Sequence, residues 1–238
     1  MKILNFKKPF IEGSVVEIRK NIYVAVIADT YDRAMLFCRY QEFYESPFLE
    51  IKDQAFDLLN FMRIYKNSKE ARTFTYPDDW SGYNIPGEKV LQCLDNVFKH
   101  PNLCGVNVYD HLMAEIVYFI TKSKKWSEKT ERFYILGVDS LESNTMDHEL
   151  AHGLFYTEPE YKEKTILLYN QLDDSVKNVL KSFLLNMGYC DEMVIDEVQA
   201  YMSTGLTKGM LSQLGFDDSE ALRVQKPFNQ LFNTYKNF

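Results

Sequence analysis

The stretch RFYILGVDSLESNTMDHELAHGLFYT (132–157) decides the reading of the fold, because its periodicity changes partway along. Tyr134, Ile135, Leu136 and Val138 favour extended backbone, so the run from Arg132 to Ser140 reads as a strand. Asn144 then suits a helix N-cap, with Asp147 three residues on completing a weak capping box. The pattern predicts a helix over 144–156, entered directly from a strand at 132–138. On such a helix His148 and His152 stand one turn apart and share a face.

Upstream, SVVEIR (14–19) and IYVAVIA (22–28) are rich in β-branched residues and read as two further strands. From Tyr31 to about Lys66 the pattern is helical. A polar loop with Pro77, Gly82, Pro86 and Gly87 interrupts it. GEKVLQCLDNVFKH (87–100) and NVYDHLMAEIVYFITKSKK (107–125) resume helices, the second with Tyr109, Leu112, Ile116 and Ile120 at helical spacing. Downstream, YKEKTILLYNQL and DDSVKNVLKSFLLNM lead to Gly188, a C-terminal cap. Helices also fit 191–203 and 218–235. The expectation is an α+β fold, predominantly helical, with a small sheet whose last strand leads into the helix carrying His148. It is read as one domain over 1–238, divisible into lobes at 1–130 and 131–238.

Bulk properties narrow the function classes. Hydrophobic residues make up 46% of the 238 positions, with 17 Phe and 16 Tyr, enough for a core without disulfide or metal staples. A net charge of -7 gives no footprint for nucleic acid and disfavours anionic membrane surfaces. Cys38, Cys93, Cys104 and Cys190 form no CxxC pair, which fits reduced thiols. The N-terminal residues carry no apolar signal region, and the longest apolar run, Ile22 to Ala28, is too short for a bilayer. The expected setting is the cytoplasm.

The segment His148-Glu149-Leu150-Ala151-His152 carries the chemistry. Two imidazoles on one helical face supply neutral nitrogen ligands for Zn²⁺, and the adjacent Glu149 can take a proton from an attacking water. A chance HExxH is expected in roughly one chain in two hundred of this composition. Half of the four histidines lie in this pentapeptide.

A catalytic zinc site needs a third protein ligand. Glu158 occupies the place where a metzincin would carry its third His, and no His follows His152. His100 and His111 lie upstream and stay open. Downstream, Asp191, Glu192, Asp196 and Glu197 offer carboxylates. Helical phase groups Glu197 with Met193, Val194, Ala200 and Tyr201, an inward face. Asp196 groups with Glu192, Gln199 and Ser203, a face read as solvated. An inward carboxylate is costly to bury without a cation, which favours Glu197.

HELAH followed by Asp196-Glu197-Val198-Gln199-Ala200 resembles the gluzincin, thermolysin-like branch of zinc metallopeptidases. The resemblance covers two short stretches, about 144–156 and 191–203. It implies His148, His152 and Glu197 as ligands of Zn²⁺, Glu149 as general base, and a peptide or protein substrate. Two features depart from that pattern. The segment between His152 and Glu197 is longer than in thermolysin-type enzymes, so its two helices would be an insertion. Where many gluzincins place an acid that orients a zinc-bound His, this chain has Tyr201, whose hydroxyl is expected to take that role.

Weaker signals have plainer readings. Tyr156 and Tyr201 are candidate donors to an oxyanion, although tyrosines so placed are more often ordinary packed core residues. Arg39, Glu42 and Glu45 in RYQEFYES (39–46) fit solvated charges on an amphipathic helix. Trp80 and Tyr83 in DDWSGYNIPG (78–87) could pin a substrate chain or simply anchor a loop. Lys122, Lys124, Lys125, Glu128 and Glu131 read as a solvated helix end, and Cys190 as a buried thiol. Three other functions stand beside a peptidase: a non-catalytic zinc protein, a zinc hydrolase of a non-peptide bond, and a helical interaction module with a chance motif. An intact Glu149 weighs towards hydrolysis.

Overall fold

The computed structural model describes residues 3–122, 132–143 and 145–236. Asn144, Lys124, Lys125, Glu128 and Glu131 therefore lie outside the described residues. The chain divides into two compact units, Met1–Met146 and Asp147–Phe238. The expected α+β character, mainly helical with a small sheet, is what the structure has.

The first unit is built on five strands: β1 (Ile3–Lys7), β2 (Glu12–Arg19), β3 (Ile22–Val26), β4 (Tyr83–Pro86) and β5 (Tyr134–Val138), in the order β1-β2-β3-β5-β4. β3 and β5 run parallel, pairing Ile22 with Tyr134 through Val26 with Val138; the other pairs are antiparallel. Every residue of β5 is buried, as an apolar run in a central strand requires. β2 turns into β3 through Asn21, whose φ of 67° lies in the left-handed region that asparagine tolerates.

Two strands lie outside the sequence expectation. β1 is short and mostly exposed. β4 was masked by the loop signals of Gly82, Pro86 and Gly87, but a strand ending in proline is tolerated at a sheet edge. Its Tyr83 is buried and stacked on Phe37 and Tyr76, so it anchors the core rather than presenting itself to a ligand.

The helices of this unit are α1 (Thr30–Glu45), α2 (Leu58–Ser68), α3 (Tyr76–Asp79), α4 (Gly87–Lys99), α5 (Pro101–Cys104) and α6 (Val108–Lys122). The helical run expected over 31–66 is broken by residues 46–57. α1 starts at Asp29, whose Oδ1 accepts from the Asp32 amide at 2.8 Å. α2 restarts at Asp57, which accepts from the amides of Leu59 and Asn60.

The charges of α1 correct another expectation. Arg39 and Glu42 are buried, not solvated. α1 packs against β4 and β5 and also against α3, α4 and α6, so it has no single solvent face in this stretch. Arg39 donates to Asp110 Oδ1 at 2.9 Å and Oδ2 at 3.2 Å, and to the carbonyls of Phe56 and Cys104. Gly137 lets α1 approach β5: a Cβ there would sit 2.5 Å from Phe37 Cε2.

The second unit is helical: α7 (Met146–Thr157, whose first residue closes the first unit), α8 (Pro159–Gln171), α9 (Asp174–Met187), a 3-10 turn at Asp191–Met193, α10 (Val194–Thr204), α11 (Lys208–Leu214) and α12 (Asp218–Lys236). α9 ends as expected at Gly188, whose φ is 102° and whose amide donates to the carbonyls of Leu184 and Leu185. α10 packs against α8, α9 and α12, around Val194, Val198, Met202, Leu180, Leu184, Val224 and Phe228.

α7 is not entered directly from the strand, because residues 139–145 intervene between Val138 and Met146. The division between units also falls later than the expected 130/131, since β5 is hydrogen-bonded between β3 and β4 and belongs to the first unit. Among the described residues, no helix is long and apolar enough to cross a membrane.

Candidate metal centre

Within the second unit, α7 supplies His148, Glu149 and His152, while α10 supplies Glu197. The α-helical period places the two histidines on one face of α7. Their Nε2 atoms converge to 3.3 Å. Glu197 brings Oε1 to 3.7 Å from His152 Nε2 and Oε2 to 4.0 Å from His148 Nε2. All three potential ligand atoms lie within 4.8 Å of one another.

Two nitrogens bound at 2.0–2.1 Å to one tetrahedral ion stand about 3.3 Å apart. The imidazole pair already has that separation. The two carboxylate oxygens, at 3.7 Å from one ring nitrogen and 4.0 Å from the other, would need to move in for one of them to share the ion. The donor set, two neutral nitrogens and one carboxylate, matches that of catalytic zinc sites with an open fourth position.

Electrostatics point the same way. Burial, reinforced by the neighbouring His152, pushes the His148 pKa down to about 3. Burial alone would lower His152 too, but Asp196 and Glu197 outweigh it and carry its pKa up to about 10. The two rings are thus shifted in opposite directions, His148 down and His152 up. The carboxylates of Asp196, Glu197 and Glu149 favour positive charge at His152, and a divalent cation held by its ring would supply it. Glu149 is itself buried and acts through space on both His152 and Tyr201.

Asp196 overturns its expected place. It is not on a solvated face: its Oδ1 lies 2.9 Å from His152 Nδ1, and its side chain is 13% exposed. Gln199 and Ser203, grouped with it as solvated, are fully buried. The cause is α8 and α12, which cover that side of α10. Tyr161 of α8 donates to Gln199 Oε1 at 2.8 Å, and Asn229 of α12 donates to the Ser203 carbonyl at 2.8 Å. The group that meets the His152 ring at Nδ1 is thus Asp196, one residue before Glu197, and not Tyr201.

Tyr201 lies instead with its ring against His148, centroids 4.7 Å apart. Burial, Glu197 and Glu149 push its pKa up to about 12, so its hydroxyl keeps its proton. Tyr156 is half-buried on α7. His100 and His111 belong to the first unit and are exposed, and the ligand cluster is made without them. Asp191 and Glu192 are exposed as well, and Cys190 is half-buried rather than buried.

Sequence reasoning missed Asp196, Gln199 and Tyr161. The only signal for the first was its adjacency to Glu197. Comparison with known proteins adds no relative: no family model matches the chain, and neither a curated protein nor a solved structure matches it.

Proposed function

We propose that this chain is a zinc-dependent hydrolase that cleaves amide bonds, with His148, His152 and Glu197 as the metal ligands. The observation that carries this reading is the 3.3 Å convergence of the two Nε2 atoms beside the Glu197 carboxylate, with Glu149 buried next to them. The resemblance of the same residues to the gluzincin pattern supports a peptide or protein substrate.

When bound, the cation would polarise the scissile carbonyl and make a water acidic enough to attack near neutral pH. Glu149 accepts the proton of that water and passes it to the leaving amine. Asp196 accepts a hydrogen bond from His152 Nδ1, which keeps Nε2 free for the metal. Tyr201, whose ring lies against His148, would donate from its hydroxyl to developing negative charge. A purely structural site would have no use for a buried base at Glu149.

The test has two parts. Elemental analysis after zinc reconstitution should give one zinc per chain, lost in a His148→Ala, His152→Ala double variant. Digestion of a broad peptide library should then give cleavage that the double variant lacks. No stoichiometric metal would overturn the metal reading, and stoichiometric zinc without any cleavage would overturn the peptidase reading.

A further inference from the structure

Beyond the His152–Asp196 pair runs a line of buried polar groups, Gln199, Tyr161 and Ser203, that the hydrolytic scheme does not use. His152 Nδ1 meets Asp196 Oδ1 at 2.9 Å, and Gln199 Nε2 meets the same oxygen at 3.0 Å. Gln199 Oε1 accepts from the Tyr161 hydroxyl at 2.8 Å, and Ser203 Oγ lies 3.4 Å from that hydroxyl. Tyr161 and Gln199 are completely buried and Ser203 is 1% exposed. Polar side chains are placed in a helical interior only where each finds a partner.

The polarity of this line can be worked out from its acceptor end. An ionised carboxylate donates nothing, so the Gln199 amide must turn its NH₂ towards Asp196. Its carbonyl oxygen then faces Tyr161, and the phenol must spend its single proton on it. Ser203 is left as the donor to the phenol oxygen. At the other end, Asp196 Oδ1 takes the Nδ1 proton of His152. A ring that donates from Nδ1 can present a lone pair at Nε2, which is what a metal requires.

We propose that Tyr161 and Gln199 are positioning residues for the metal site, acting through Asp196 to hold His152 with Nε2 directed at the cation. This rests on the reading of His148, His152 and Glu197 as metal ligands. It also gives a task to α8, which the gluzincin resemblance makes part of an insertion: this helix carries Tyr161, which anchors the line from the side opposite the ligands. The polar line is satisfied only when α8, α10 and α7 are docked together, so folding of the inserted segment and assembly of the ligand set are one event.

The experiment measures the zinc dissociation constant by competition with a chromophoric chelator, in full-length protein at one pH. Asp196→Ala should weaken zinc binding about 10- to 100-fold. Tyr161→Phe should weaken it by up to about tenfold in the natural background, and by less than about twofold when combined with Asp196→Ala. Gln199→Met, which keeps the volume and removes the amide, should show the same background dependence and replaces Tyr161→Phe if that variant does not fold. Unchanged zinc affinity in both single variants would overturn the proposal. So would equal losses with and without Asp196, because those would mark a general packing role for Tyr161. A natural protein that takes up no zinc would overturn the underlying metal reading, which the same titration detects first.

Discussion

Glu42 sits on α1 at 6% exposure, with one carboxylate oxygen, Oε2, lacking a hydrogen-bond partner among the described residues. Burial raises its pKa from 4.5 to about 7, against the pull of hydrogen bonds from Ser46 and Tyr76. The folded state therefore binds a proton that the unfolded chain has already released. Stability from this group is complete below the unfolded value of 4.5 and is lost as pH rises through about 7. At 1.36 kcal/mol per pH unit, the separation amounts to about 3 kcal/mol, of which roughly 2.5 falls between pH 5 and pH 8. Glu42→Gln keeps the shape and removes the titration. Relative to the natural protein it should gain about 2.5 kcal/mol between those two pH values. Urea unfolding followed by Trp80 fluorescence, in a Trp126→Phe background, reads the first unit, because the Trp80 ring, partly exposed, has its centroid 6.3 Å from that of the buried Tyr76. A difference between the two proteins that does not change from pH 5 to pH 8 would refute the reasoning and place a counter-charge at Glu42.

Two other outcomes follow from the buried charges. Glu149→Gln should keep one zinc per chain while hydrolysis falls about 10²–10⁴-fold, since an amide cannot take the proton of water; Glu197→Ala should instead weaken the metal itself, and a Glu149→Gln protein of full activity would dismiss water activation by this residue. Asp110→Ala leaves the Arg39 guanidinium buried without its counter-ion and should cost the first unit about 3–5 kcal/mol, read by denaturant midpoint; a loss within error would mean that Arg39 reaches water.

The parts of the fold that were legible are those in which one residue type has one meaning. β3 and β5 are continuous apolar runs in the middle of the sheet, and nothing else fits so many β-branched and aromatic residues in so short a segment. Gly188 reads as a helix stop because its left-handed backbone suits glycine. β4 was not legible, since its four residues end in proline and its strand character comes from pairing with β5, on a segment far along the chain. The failure at Arg39 and Glu42 has another cause. Amphipathic phasing takes charge as a sign of solvent, which holds for a helix with one covered side. α1 is covered on several, and the partner that lets Arg39 be buried is Asp110, 71 positions away.

The same cause explains why the sequence places Glu197 beside His148 and His152, where the structure has it, and misplaces its neighbour Asp196. Phasing put Glu197 inward and, with it, put the adjacent Asp196 outward, because neighbours on a helix point about 100° apart. Both carboxylates are in fact inside, one towards the ligand cluster and one behind His152. A single helix can offer both only if it is enclosed on two sides. α8 and α12 provide the second enclosure, through Tyr161 and Asn229. The chain between His152 and Glu197, a departure from the gluzincin pattern, supplies α8 and so part of the enclosure that lets both Asp196 and Glu197 face inward. Under the proposed function the adjacent pair Asp196-Glu197 would divide the work by direction: the same turn of α10 would offer a metal ligand on one side and hold the His152 ring from the other.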